Sequence, residues 1–139
     1  MLPQKVQAFV RENHHGVLTT FRRNGAAQMS IVTCGPFRDG VAFTTTGDRA
    51  KLRNLKRNLH CSLLVSQQDW WGYVVLEGYA ELLSPGTTDP EELRLGLREV
   101  YRAASGREHP NWEEYDQAMR DQVRSVVVVV PEYVYGTKA

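Results

Sequence analysis

The sequence predicts a mostly β protein: an antiparallel barrel or curled sheet with short helices at its periphery. Three observations predict it. Asn24-Gly25 and Asp39-Gly40 stand between strand-like runs, and both dipeptides favour tight hairpin turns. Strand-like and helix-like segments do not alternate regularly, as a doubly wound parallel sheet would require. The run Val126 to Val130 is β-branched without a polar break, which suggests a strand buried on both faces.

The elements follow in order. Pro3 to Asn13 reads as an amphipathic helix, with Val6, Phe9 and Val10 at helical spacing and Gly16 closing it. VLTTF is the first strand, and AQMSIVTC returns after the Asn-Gly turn. In that return strand Met29, Ile31 and Thr33 alternate with Gln28, Ser30 and Val32. A second turn at Phe37 to Gly40 leads to VAFTTT. Asp48 to Asn58 is a short helix, with Leu52, Leu55 and Leu59 expected inward. HCSLLVS is a buried strand, QQDWWG a turn, and YVVLEGYAELLS a long strand with a bulge or bend at Gly78. Pro85 to Pro90 is a loop. Pro90, Glu91 and Glu92 open a helix that stops near Gly106, with acids in its first turn as the dipole prefers. NWEEYDQAMRDQ is another helix, and SVVVVVPEYVYG is a central strand followed by a Pro-broken extension. No repeat or linker interrupts the 139 residues, so a single domain, 1–139, is expected.

Composition excludes several classes. Seventeen basic and sixteen acidic residues give a formal charge of +1, which argues against non-specific nucleic-acid binding as the main role. Cys34 and Cys61 lack CxxC spacing, and the four histidines form neither HxH nor HExxH, so no disulfide framework or metal site is expected. No signal peptide is visible and no apolar stretch is long enough for a membrane span, so the cytoplasm is the expected compartment.

The segment TTTGDRAKLRNLKRN poses the sharpest chemical question. Lys56 and Arg57 lie at the C-terminal end of their helix, where its dipole favours cations. Arg49 and Lys51 fall at the N-terminal end, where cations are disfavoured by about 0.3–1 kcal/mol each. A threonine-rich strand end, Gly47 and a helix N-terminus together form an anion site. Arg49 could grip a phosphate through two N–H groups, Lys51 would add a point charge, and Asn54 lies one turn further on the same face. The bland alternative is a solvated basic face. Walker and Rossmann glycine patterns are both absent.

With GVLTTFRRNGAAQMSIV, WWGYVVLEGYAELL, the helix pair and VVVVVPEYVYG, this segment resembles the pyridoxamine-phosphate-oxidase-like split β-barrel superfamily, and within it the small deazaflavin (coenzyme F420) branch. The resemblance implies an antiparallel Greek-key barrel with short helices. It implies an oxidoreductase, with F420 as cofactor and FMN as the alternative. Carried over residue by residue, Thr46, Arg49 and Lys51 would bind the cofactor phosphate with Asn54 beside them. Gln28, Met29 and Ser30 would line the ring. The family places its cofactor between the subunits of a homodimer, so Trp71, within the segment Trp70 to Tyr73, would reach the site from the partner chain. The family's vitamin-forming members continue beyond this length with an Arg- and His-containing segment, so a reductase of another small molecule is expected. A carrier or sensor of a phosphorylated cofactor is the non-enzymatic alternative.

Other aromatic and histidine residues have structural readings. Of Trp70 and Trp71, one is expected in the core and one at the surface, because strand neighbours point to opposite faces. His14 and His15 are expected to end the first helix. Trp112, Tyr115 and Met119 read as a packing stripe, and Tyr133 and Tyr135 are expected to divide between ligand and solvent.

Overall fold

A computed structural model of the chain describes residues 2–139. Its elements are α1 (Gln4–Glu12), β1 (His15–Phe21), β2 (Ala27–Thr33), β3 (Gly35–Phe37), β4 (Gly40–Thr45), α2 (Ala50–Arg57), β5 (His60–Ser66), β6 (Tyr73–Leu83), α3 (Pro90–Ser105), α4 (Trp112–Asp121) and β7 (Ser125–Tyr135). The strands form one curled seven-stranded sheet in the order β2-β1-β5-β6-β7-β4-β3. All its pairings are antiparallel. β2 and β3 stand at opposite ends of that order, yet only Cys34 separates them in sequence. The chain therefore crosses from one edge to the other and curls the sheet into a split barrel.

The valine run divides the interior in two. Val127 and Val129 pack into the barrel core with Leu18, Phe43, Leu63, Leu76, Leu52 and Leu55. Val126, Val128 and Val130 point the other way, against Leu93, Leu97, Val100 and Tyr115 of α3 and α4. A strand covered on both faces needs apolar residues at every position. The packing stripe of Trp112, Tyr115 and Met119 belongs to this second layer.

Gly78 and Pro131 face each other, and the ladder shifts register between Glu77 and Gly78. A Cβ on Gly78 would come 2.0 Å from the Val130 carbonyl oxygen, so only glycine fits. Pro131 lacks an N–H to donate, and the bulge accommodates it inside a continuous strand. The expected break after the valines is therefore a bulge opposite an unbroken β7.

Several expectations change at the ends of elements. α1 ends at Glu12 with Asn13 as its cap, and Gly16 lies within β1. His14 does not cap the helix; its Nδ1 pairs with the Cys34 carbonyl at 2.8 Å. Leu59 is exposed, because α2 ends at Arg57 and the Leu59 carbonyl instead receives the Ala80 N–H. Neither tryptophan enters the core: Trp70 is 53% and Trp71 83% exposed, both on the loop between β5 and β6 rather than on a strand. Tyr133 and Tyr135, two apart on β7, share a face and stack at 5.8 Å.

The helices α3 and α4 cover only part of the outer face of the sheet. Across the rest run two rows, Ile31–Val17–Leu64–Val75–Tyr135 and Met29–Thr19–Ser62–Glu77–Tyr133. Met29, Ile31, Tyr133 and Tyr135 in these rows are exposed.

Candidate cofactor site

The site forms where β4 ends and α2 begins. Strand alternation puts Thr44 on the outer face, while Thr45 is buried and Thr46 follows the end of the strand. The helix starts later than the sequence suggests. Arg49 is the N-cap, in extended conformation, and Asp48 stands outside the helix. A local network explains this: the Thr46 hydroxyl donates to Asp48 Oδ1 at 2.9 Å, and Arg49 Nε donates to Thr46 Oγ1 at 3.1 Å. Lys51 remains inside the first turn.

No side chain caps this helix, and its first turn holds no acid. By contrast, Asp89 caps α3 and Asn111 caps α4. Among the described residues, the N–H groups of Ala50 and Lys51 find no acceptor. A helix N-terminus with unengaged donors carries partial positive charge.

The structure adds a cation that sequence spacing missed. Arg124, at the turn between α4 and β7, donates to Thr44 Oγ1 at 3.0 Å. Gly47 docks on the same turn, its N–H reaching the Gln122 carbonyl at 3.3 Å. Burial holds the Lys51 amine below the usual lysine range, and the charges of Arg49 and Arg124 push it further the same way. Burial likewise lowers Arg124, with Tyr115 opposing and Arg49 adding to the shift. Among the described residues, no carboxylate forms an ion pair with Arg49, Lys51 or Arg124. Asp48 is the negative group beside Arg49. The Thr46 hydroxyl above all, with Arg49 and Arg53 assisting, holds it below the usual carboxylate range. An anion that took the Thr46 hydroxyl donor would displace the Asp48 carboxylate from it.

Beside Arg124 a cleft of about 330 Å³ opens between Thr33, Thr44, Tyr101, Tyr115 and Met119. Its size is at the lower end for small-molecule sites, roughly 300–1,000 Å³. Thr33 shares the outer face of β2 with Met29 and Ile31. Of the three residues expected to line a ring, Met29 alone points to this face. Gln28 and Ser30 point inward.

Asn54 has a different environment from that of its neighbours. It is buried, and its amide nitrogen donates to Thr20 Oγ1 at 3.1 Å and Gln28 Oε1 at 2.6 Å. Its oxygen accepts from Arg57 Nη2 at 3.1 Å. Asn54 and Gln28 thus tie α2 to β1 and β2. Trp71 does not line the cleft. Thr33, His15, Ser66 and Tyr73 form a register row across four strands. At about 4.8 Å per spacing, Thr33 and Tyr73 are roughly 14 Å apart.

The two thiols lie elsewhere. Cys34 and Cys61 are both free and buried, and burial pushes each thiol up to about 12. No helix among the described residues is long and apolar enough to cross a membrane.

The curled antiparallel split barrel defines a class of β proteins, and here an uncompensated cation cluster lies beside an outer-face cleft. Within that class the chain belongs to the pyridoxamine 5'-phosphate oxidase family, which matches residues 2–138. Solved structures share the fold. A conserved hypothetical protein of Mycobacterium tuberculosis superposes with a TM-score of 0.78 at 21% identity, covering 98% of this chain and 84% of that one. A protein named F420 reductase gives 0.66 at 24% identity, covering 96% and 98%. The heme storage protein HutZ of Vibrio cholerae gives 0.64 at 14% identity, covering 97% and 94%. At these identities the likeness is one of fold, and the fold alone does not select a cofactor.

Proposed function

We propose that the protein is an oxidoreductase that uses F420 to reduce a conjugated small-molecule acceptor, acting as a homodimer with cofactor sites at the subunit interface. One observation carries this reading: Arg49, Lys51 and Arg124 gather without a carboxylate partner beside two unengaged helix N–H groups. Such an arrangement suits a phosphate, which brings two charges and several acceptor oxygens. The neighbour named F420 reductase supports the choice of cofactor.

In this reading Thr46, Arg49, Lys51 and Arg124 hold the phosphate. Met29, with the β2 backbone at Ser30, borders the ring. Asn54 and Gln28 act as positioning residues, fixing α2 so that Lys51 faces the anion. Trp71 comes from the partner subunit. Reduced deazaflavin, when bound, supplies a hydride as a two-electron donor. The chain's own task is to bind, orient and exclude water, and no side-chain acid or base is needed. Arg53, Lys56 and Arg57 form no ion pairs among the described residues and give an acidic cofactor tail a basic path beyond the phosphate. FMN is the second reading, because it presents a phosphate to the same cluster and the family match is compatible with it.

Titration of the cofactor-free protein with F420 and with FMN tests the choice. F420 is expected to bind more tightly at low salt. The margin should shrink as salt rises, because exposed charges are screened over roughly 10 Å at 0.1 M salt. Binding of FMN without measurable affinity for F420 would transfer the reading to the flavin. Tight F420 binding without reduction of any conjugated acceptor would make the protein a carrier.

A further inference from the structure

A second cleft, of about 430 Å³, lies between the start of α3 and the end of α4. The proposed function does not use it. Leu93 and Leu97, one turn apart on α3, form one wall, and Met119 and Val123 the other. Its charged groups divide into two sets. Arg94 is bonded to both Glu91 and Asp116, and Asp116 also holds Arg98 at 2.5 Å, so the acids are neutralised. Arg120 and Arg124 have only neutral acceptors. Arg120 Nη2 donates to Gln117 Oε1 at 2.9 Å. Arg124 donates to Gln122 Oε1 at 2.7 Å and to Thr44 Oγ1.

Two uncompensated guanidinium groups beside an apolar cleft complement one kind of ligand. We propose that this cleft binds a small amphipathic monoanion, its apolar body between Leu93, Leu97, Met119 and Val123 and its carboxylate or sulfonate head on Arg120 and Arg124. Guanidinium pairs with such heads through two parallel N–H bonds, and the apolar walls desolvate the body. Arg124 also belongs to the cation cluster of the cofactor site, so Arg120 is the residue that distinguishes this cleft. The proposal does not depend on which cofactor the other site takes.

The probe is anilinonaphthalene sulfonate, titrated into the full chain by fluorescence and mapped on amide resonances by NMR. Its uncharged parent, phenylnaphthylamine, serves as the comparison. The sulfonate is expected to shift the amides of Leu93, Leu97, Met119 and Val123 and to bind more tightly than the parent. Arg120→Glu should weaken it at least about tenfold, the loss of one charge-assisted contact. Met119→Trp should fill the cleft and abolish the shifts. If that variant does not fold, Arg120→Glu carries the test, since Arg120 is exposed and makes a single bond to Gln117. Shifts confined to the exposed face around Met29, Ile31 and Tyr133, unchanged affinity in Arg120→Glu, or equal binding of the uncharged parent would each overturn the proposal.

Discussion

Lys51 is the residue whose placement is hardest to explain by stability. It sits in the first turn of α2 among like charges, partly buried, without a carboxylate partner. Removing it should leave the fold intact or slightly steadier, because the dipole and neighbouring cations oppose it. Its loss should cost about 1.5–3 kcal/mol of binding to a phosphate-bearing cofactor, roughly ten- to more than a hundredfold in Kd. Lys56→Ala, at the other end of the helix, should change binding far less. Equal binding by both variants, with Lys51→Ala folded, would return the basic helix to a solvated face. The titration of Lys51 adds a pH signature. Its amine loses its proton below the ordinary value of 10.5, so deprotonation removes a charge from the site at correspondingly lower pH. Cofactor affinity should therefore fall through the alkaline range earlier than an exposed lysine would allow, and Lys51→Arg should flatten that fall. Asp116 behaves in the opposite manner. Arg98 above all, with Arg94, holds its carboxyl below the ordinary 3.8, so its contribution is complete above that pH and is lost as pH falls through the lowered value. Asp116→Asn leaves Arg98 beside a neutral group in a largely buried setting. A loss of stability is expected in denaturant unfolding at neutral pH, and little difference in strong acid.

Gly78 shows how one element depends on one residue. The bulge between β6 and β7 places it against the Val130 carbonyl, across from a proline that has no N–H to contribute. Gly78→Ala should destabilise by at least about 3 kcal/mol, since backbone rather than a flexible side chain must move. An unfolding midpoint near the parent value would show that the two strands separate there more easily than this contact implies. β2 presents a different kind of dependence. It is an edge strand with Met29 and Ile31 turned outward, the reverse of what a monomeric sheet needs. Helix α2 closes the interior side of that edge through Asn54 and Gln28, so the element proposed to bind the anion is also the one that holds β2 in place.

The exposed rows on the outer face set the expected behaviour of the whole molecule. The valine run cannot drive association, because Val126 to Val130 are all buried within the chain. The surface with that capacity is the face bearing Met29, Ile31, Tyr133 and Tyr135, where another copy would cover apolar side chains across five strands. The protein should sediment as a dimer at micromolar concentration. Ile31→Glu with Tyr133→Glu should shift it to monomer and weaken cofactor binding together, because in the proposed dimer the partner completes the site. A wild-type monomer that binds cofactor fully would overturn the shared site.

Local periodicity already determined most of the architecture. Alternation in β2, the two hairpin dipeptides, the capping acids of α3 and the unbroken valines each report a residue's immediate surroundings, and such information is carried by neighbours in the chain. Trp70 and Trp71 show its limit, since a strand pattern continued into a turn assigns faces that the turn does not have. The cation cluster was half legible: Arg49 and Lys51 contradict the helix dipole and so stand out in the sequence. Arg124 does not stand out, because it is eighty positions from Thr44 and joins it only when β4 pairs with β7. Asn54 shares a helical face with Lys51 on spacing alone, yet curling of the sheet brings Thr20 and Gln28 to its amide. Which side chains meet across the barrel depends on strand order and register, and these are settled by burial of the whole core rather than by any one segment.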